Sequence, residues 1–131
     1  MAGWLIDTSV LVNAERGAGG LDNVPAEGGH AISSITASEL LHGVHRAEDG
    51  ARRMRRQAFV ENVLAALETL PATLEVARVH AGIWAQMEAA GRVIGARDLW
   101  IAATAIAHDL QVATCNLREF ECVPGLSVLG L

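Results

Sequence analysis

Lysine is missing altogether from this chain: all ten of its basic residues are arginines. The planar guanidinium fork suits phosphate geometry, but a high-GC genome produces the same bias, so the absence by itself selects no partner. Fifteen acids outnumber the arginines and leave a formal net charge of −5. That balance argues against nonspecific duplex DNA binding by phosphate neutralisation, while a local basic patch could still meet RNA. Cysteine is scarce. Cys115 and Cys122 have no C-x-x-C spacing and no neighbouring His pair, so neither a zinc site nor a redox motif is indicated and both read as reduced thiols. No apolar run reaches membrane-spanning length. The opening M-A-G-W-L-I-D carries no basic n-region or small-residue cleavage site, so a cytoplasmic location is expected. Repeats, low-complexity segments and linkers are also lacking, and 131 residues read as one domain, 1–131, able to bury its own core.

What is present alternates. Gly3 to Ile6 reads as a short buried strand, followed by a helix from Ser9 to Ala14 that stops at the glycines Gly17, Gly19 and Gly20. After a polar connector, Ala31 to Ser33 is a second strand, leading into a helix from Ala37 to about Ala47 with Leu40, Leu41 and Val44 inward. A helix from Ala51 to Leu67, a short strand Leu67 to Leu70, and helices Thr73 to Ala90 and Asp98 to His108 follow. Gln111 to Thr114 and Ser127 to Leu129 read as further strands, separated by a loop containing Arg118 and Phe120. Strands alternating with helices predict an α/β fold with a central parallel sheet flanked by helices.

Three acids stand at element junctions: Asp7 after the apolar Trp4-Leu5-Ile6, Glu39 in the first turn of a helix opened by Thr36, and Asp98 at the mouth of an Ala-rich helix. Each has an ordinary explanation. Asp7 can cap a helix, Thr36-Ala-Ser-Glu39 matches a capping box, and Asp98 can answer a helix dipole. If the sheet brings all three together they describe something else, because ligands of an open parallel sheet collect beyond the carboxyl ends of its strands. Two carboxylates about 4 Å apart repel by about 4 kcal/mol at an effective dielectric of 20, more than helix termini offset. An all-oxygen set calls for Mg²⁺ or Mn²⁺ rather than zinc. Such a metal activates water and stabilises phosphoryl charge, which is the chemistry of phosphodiester hydrolysis.

L-I-D-T-S at Leu5–Ser9, T-A-S-E-L around Glu39, D-L-W-I-A-A-T-A at Asp98–Ala105 and A-T-C-N-L-R-E-F at Ala113–Phe120 together resemble the PIN-domain ribonucleases, in particular the VapC-type toxins of toxin-antitoxin pairs. The resemblance implies a single PIN-like domain and an Mg²⁺-dependent endoribonuclease, with Mn²⁺ as a substitute. It also implies that Asp7, Glu39 and Asp98 hold the metal and carry catalysis. Asn116 stands where many relatives have a fourth acid; it and Glu119 are expected as second-sphere or second-metal residues. Ser9 and Thr114 are expected to orient Asp7 or a metal-bound water. The implied partners are an RNA substrate, a cognate antitoxin that directs an arginine at the acids, and a second copy of the chain in a homodimer.

Arg52, Arg53, Arg55 and Arg56 form the most basic run. It reads either as a solvated helix face or as an RNA or antitoxin contact through Arg52 and Arg56, with Arg56 packing its stem on the core and leaving its guanidinium free. His42 and His45 allow a metal or base role only weakly; His80 reads as a hydrogen-bonded core or interface histidine. Haloacid-dehalogenase phosphotransferases would need a second Asp where Ser9 stands, and a receiver domain would need a lysine. A catalytically weak PIN-fold RNA-binding or scaffold domain is the remaining alternative, raised by Asn116.

Overall fold

Five short parallel strands form the centre of the computed structural model, which describes residues 3–131. They are β1 (Trp4–Ile6), β2 (His30–Ser33), β3 (Glu68–Leu70), β4 (Gln111–Thr114) and β5 (Val128–Gly130), in the spatial order β3-β2-β1-β4-β5. Six helices connect them: α1 (Thr8–Glu15), α2 (Ser34–Arg46), α3 (Gly50–Ala66), α4 (Leu74–Ala89), α5 (Ala96–Ala107) and the short α6 (Leu117–Phe120). The expected α/β architecture is therefore the one found.

The sheet is buried on both faces, and alternation along each strand divides its side chains between two cores. Leu5, Ala31 and Val112 point to one face, where Val76, Ile83 and Met87 of α4 and Ile101, Ala102 and Ala105 of α5 cover them. Trp4, Ile6, Ile32 and Ala113 point to the other, against Val10 and Leu11 of α1, Leu40 and Val44 of α2, and Val60 and Val63 of α3. Leu5 and Ile6 have no exposed surface, and complete burial of such side chains is worth about 1.5–3 kcal/mol each.

The chain leaves β1 for β2 and β3 on one side, then returns to place β4 and β5 on the other. Strand order reverses between β1 and β4, which opens a crevice at their carboxyl ends. Trp4, Leu5 and Ile6 pair with Gln111, Val112 and Ala113 across this boundary, so the residues following Ile6 and Ala113 are brought side by side.

Several local expectations are corrected. Helix α2 begins at Ser34, three residues earlier than its apolar pattern suggested, because Ser33 caps it by accepting from the Thr36 amide at 3.0 Å. Leu41, expected inward, is 37% exposed. The segment expected as a loop around Arg118 and Phe120 winds into α6, driven by complete burial of Phe120.

Candidate active site

Asp7 follows β1 directly and is only 3% exposed. It stands at the N-cap position of α1, yet its side chain makes no capping bond. Instead its Oδ2 accepts from Ser9 Oγ at 2.6 Å and from Thr114 Oγ1 at 2.8 Å. Those hydroxyls are themselves fixed by backbone: Ser9 Oγ accepts from the Cys115 amide at 3.0 Å, and Thr114 Oγ1 accepts from the Asn116 amide at 2.9 Å. The Asp7 amide in turn donates to Ala113 O at 2.9 Å. The carboxylate is thus held by both strands that flank the crevice, and the helix-cap explanation for Asp7 falls.

The capping-box explanation for Glu39 falls as well. With Ser33 as the cap, Glu39 is the sixth residue of α2 and lies beyond reach of the cap amide. Its Oε1 accepts from Thr8 Oγ1 at 2.8 Å, and Thr8 Oγ1 also lies 3.0 Å from Thr36 Oγ1. Arg97 approaches the other oxygen, Nη1 to Oε2, at 3.6 Å.

Asp98 is in the first turn of α5, whose N-cap Gly95 offers no side chain. Its carboxyl is pushed up from the ordinary value to about 6, first by burial and then by the negative charges of Asp7, Glu119 and Glu39, with Arg97 opposing them. A first-turn acid that merely answered a helix dipole would be held down. The upward shift instead reports a carboxyl withdrawn from water and crowded by negative charge.

Glu39, Gly95, Ala96, Arg97 and Asp98 line a depression of about 350 Å³ beside this crevice. Asn116 and Glu119, which follow β4 in the chain, are exposed; Asn116 reaches the network through its backbone amide, and Glu119 through its charge on Asp98. Among the described residues, no three His, Cys, Asp or Glu side chains are already drawn into a metal-sized shell. The donor chemistry nevertheless fits Mg²⁺ or Mn²⁺, which take one or two carboxylates and retain waters rather than requiring a closed protein cage. The excess negative charge is what a divalent cation would relieve.

Other expectations divide. Arg52 is exposed. The Arg56 guanidinium, expected to be free, is committed: Nε donates to Glu15 Oε1 at 3.2 Å and Nη1 to Gly43 O at 3.1 Å. His42 and His45 are exposed on α2, and the buried His80 stacks on Trp100 with ring centroids 3.8 Å apart. Sequence reasoning missed Thr8, Thr36 and Arg97. The signal for Thr36 is its i, i+3 spacing to Glu39, which places both on one face of α2, but the same spacing also matches a capping box.

A family model described as PIN domain matches residues 4–126. The chain is 35% identical over 127 residues to ribonuclease VapC1 of Rickettsia felis, covering 97% of this chain and 95% of that protein. It is 40% identical over 98 residues to the tRNA(fMet)-specific endonuclease VapC of Salmonella typhimurium, covering 74% and 71%. Among solved structures it resembles VapBC2 from Rickettsia felis bound to a promoter DNA fragment, with TM-score 0.87, 26% identity and 98% coverage of both chains. It also resembles VapBC-5 from Mycobacterium tuberculosis, with TM-score 0.81, 30% identity and coverage of 99% and 98%.

Proposed function

Because the chain belongs to the PIN domain family and, within it, to the VapC ribonucleases, we propose that it is the endoribonuclease toxin of a toxin-antitoxin pair and hydrolyses RNA phosphodiester bonds. The observation that supports this reading is the Asp98 carboxyl raised to about 6, first by burial and then by the negative charges of Asp7, Glu119 and Glu39.

Ribonucleases of this type generally depend on a divalent metal; here Mg²⁺, or Mn²⁺ in its place, is the cation proposed. Asp7, Glu39 and Asp98 would hold it, and when bound it supplies an activated water and stabilises charge on the phosphoryl oxygens. Ser9 and Thr114 keep Asp7 oriented by donating to one of its oxygens, and Thr8 orients Glu39 in the same way. Asn116 and Glu119 are proposed as second-sphere or second-metal residues. No side chain of the pocket is required as a covalent nucleophile.

The proposed antitoxin site is a groove of about 200 Å³ that runs from Glu39 between α1, α2 and α3, with Leu11, Leu40, Phe59 and Val60 as its apolar floor and Arg56 in its wall. Side chains on one face of an amphipathic helix are proposed to enter this groove, with an arginine at the helix end directed at the acids. Arg52 at the outer edge is proposed to contact RNA or the antitoxin. A second copy of the chain and a cytoplasmic location complete the reading; among the described residues no helix is long and apolar enough to cross a membrane.

The test incubates the purified chain with cellular RNA, with and without Mg²⁺, beside Asp7→Asn and Asp98→Asn. Metal-dependent cleavage by the native chain, lost in both variants, is the expected result; equal cleavage by all three would reject the site. Growth arrest on expression, relieved by a co-expressed neighbouring gene product, tests the toxin role separately.

A further inference from the structure

The pocket that must receive a phosphodiester is itself lined by the carboxylates of Glu39 and Asp98. One base lines the depression at the head of α5: Arg97, beside Glu39 and Asp98. Its side chain is 73% exposed, and its contact with Glu39 is 3.6 Å long, well beyond the roughly 2.7–2.9 Å of a strong charge-assisted hydrogen bond. Three of the other nine arginines are anchored to backbone carbonyls: Arg53 to Ala47 and His45, Arg56 to Gly43, and Arg92 to Cys122. Among the described residues, the one salt bridge of Arg97 is that with Glu39.

Its location also runs against local physics. Arg97 is the second residue of α5, where the positive end of the helix dipole disfavours a cation. A residue that breaks a local rule without a firm structural contact is a candidate for function rather than stability. Its planar fork matches two oxygens of one phosphate.

We propose that Arg97 is a substrate-binding residue: its guanidinium leaves Glu39 and pairs bidentately with an RNA phosphate entering the acidic pocket. The proposal rests on the ribonuclease reading above. One weak ion pair is exchanged for a stronger, geometrically matched one, so the positive charge is present before RNA arrives without being locked in place.

The experiment uses the full chain carrying Asp7→Asn, so that RNA is not consumed, and measures binding of fluorescently labelled bulk bacterial tRNA by anisotropy across a salt series. Adding Arg97→Gln is expected to weaken binding about three- to tenfold at low salt and to reduce the slope of log affinity against log salt by about one. Arg97→Lys should keep the slope with an intermediate affinity, and Arg78→Gln, exposed on α4, should change neither. A residue that only balanced Glu39 would alter melting temperature and leave the salt slope alone. Unchanged affinity and slope in Arg97→Gln overturn the proposal, and cleavage by the native chain would then leave the ribonuclease reading standing. Absence of both RNA binding and cleavage by the native chain overturns both.

Discussion

Thr114 Oγ1 donates a 2.8 Å hydrogen bond to Asp7 Oδ2 across 107 residues of sequence. The bond spans the β1/β4 boundary, so the strand pairing that builds the sheet also orients its most buried carboxylate. Replacing Thr114 with valine keeps shape and removes the donor. Outer hydrogen bonds of this kind are worth about 10- to 100-fold in metal affinity or activity. Thr114→Val is therefore expected to lose that much in Mn²⁺ affinity by calorimetry and in RNA cleavage, while Thr114→Ser retains most of both. Native-like binding and cleavage by the valine variant would remove Thr114 from the site.

Asp98 makes the opposite demand on the fold. Its carboxyl is raised from 3.8 to about 6, so the folded state holds a proton more tightly than the unfolded chain does. Stability is then greatest below about pH 4 for this group and is lost as pH rises toward 6 and above. The full shift corresponds to about 3 kcal/mol, and solvent screening of a half-exposed carboxylate reduces that to about 1 kcal/mol. Asp98→Asn is expected to raise the melting temperature of the metal-free chain at pH 7.5 and to narrow the gap at pH 4.5. Saturating Mg²⁺ should stabilise the native chain and not the variant. A variant less stable than native at pH 7.5 would contradict the crowded-acid account.

These two residues also show what the sequence could and could not disclose. Parallel strands, helical spacing and the acids at junctions were legible because each is written in local periodicity and turn chemistry. Each junction acid has a local explanation that sequence leaves even at Asp7 and favours at Glu39 and Asp98; tertiary placement decides, since Ser33 rather than Thr36 caps α2 and Glu39 meets Thr8. Helix α6 was missed because Phe120 orders it through burial against distant residues rather than through any pattern of its own. The commitment of Arg56 was equally invisible, since its partner Glu15 is 41 positions away.

His80 titrates in the other direction. It stacks on Trp100 at 3.8 Å with the rings 15° from parallel, and burial lowers its pKa below the usual 6.5. The unfolded chain therefore takes up a proton first as pH falls below 6.5, and stability declines there while remaining unaffected above it. His80→Phe preserves an aromatic partner for Trp100 and removes the titration. Urea unfolding from pH 7.5 to 5 should show a shallower loss of stability in the variant. Parallel curves would show that His80 does not resist protonation.

Arg52 and Arg56 are four residues apart on α3 but should separate cleanly on mutation. Arg56 ties α3 to Glu15 of α1 and to the Gly43 carbonyl of α2, and both side chains of the ion pair are partly shielded, at 29% and 23% exposure. Arg56→Ala removes a charge-assisted bond and a packed stem, costing about 1–2 kcal/mol. Arg52 is exposed, and Arg52→Ala should stay within about 0.5 kcal/mol of native. Urea midpoints measure both costs. Affinity for labelled RNA or for the antitoxin helix then separates contact from scaffolding: Arg52→Ala should weaken one of them at unchanged stability. If it weakens neither, the basic run is only a solvated helix face, whatever the outcome at Arg56.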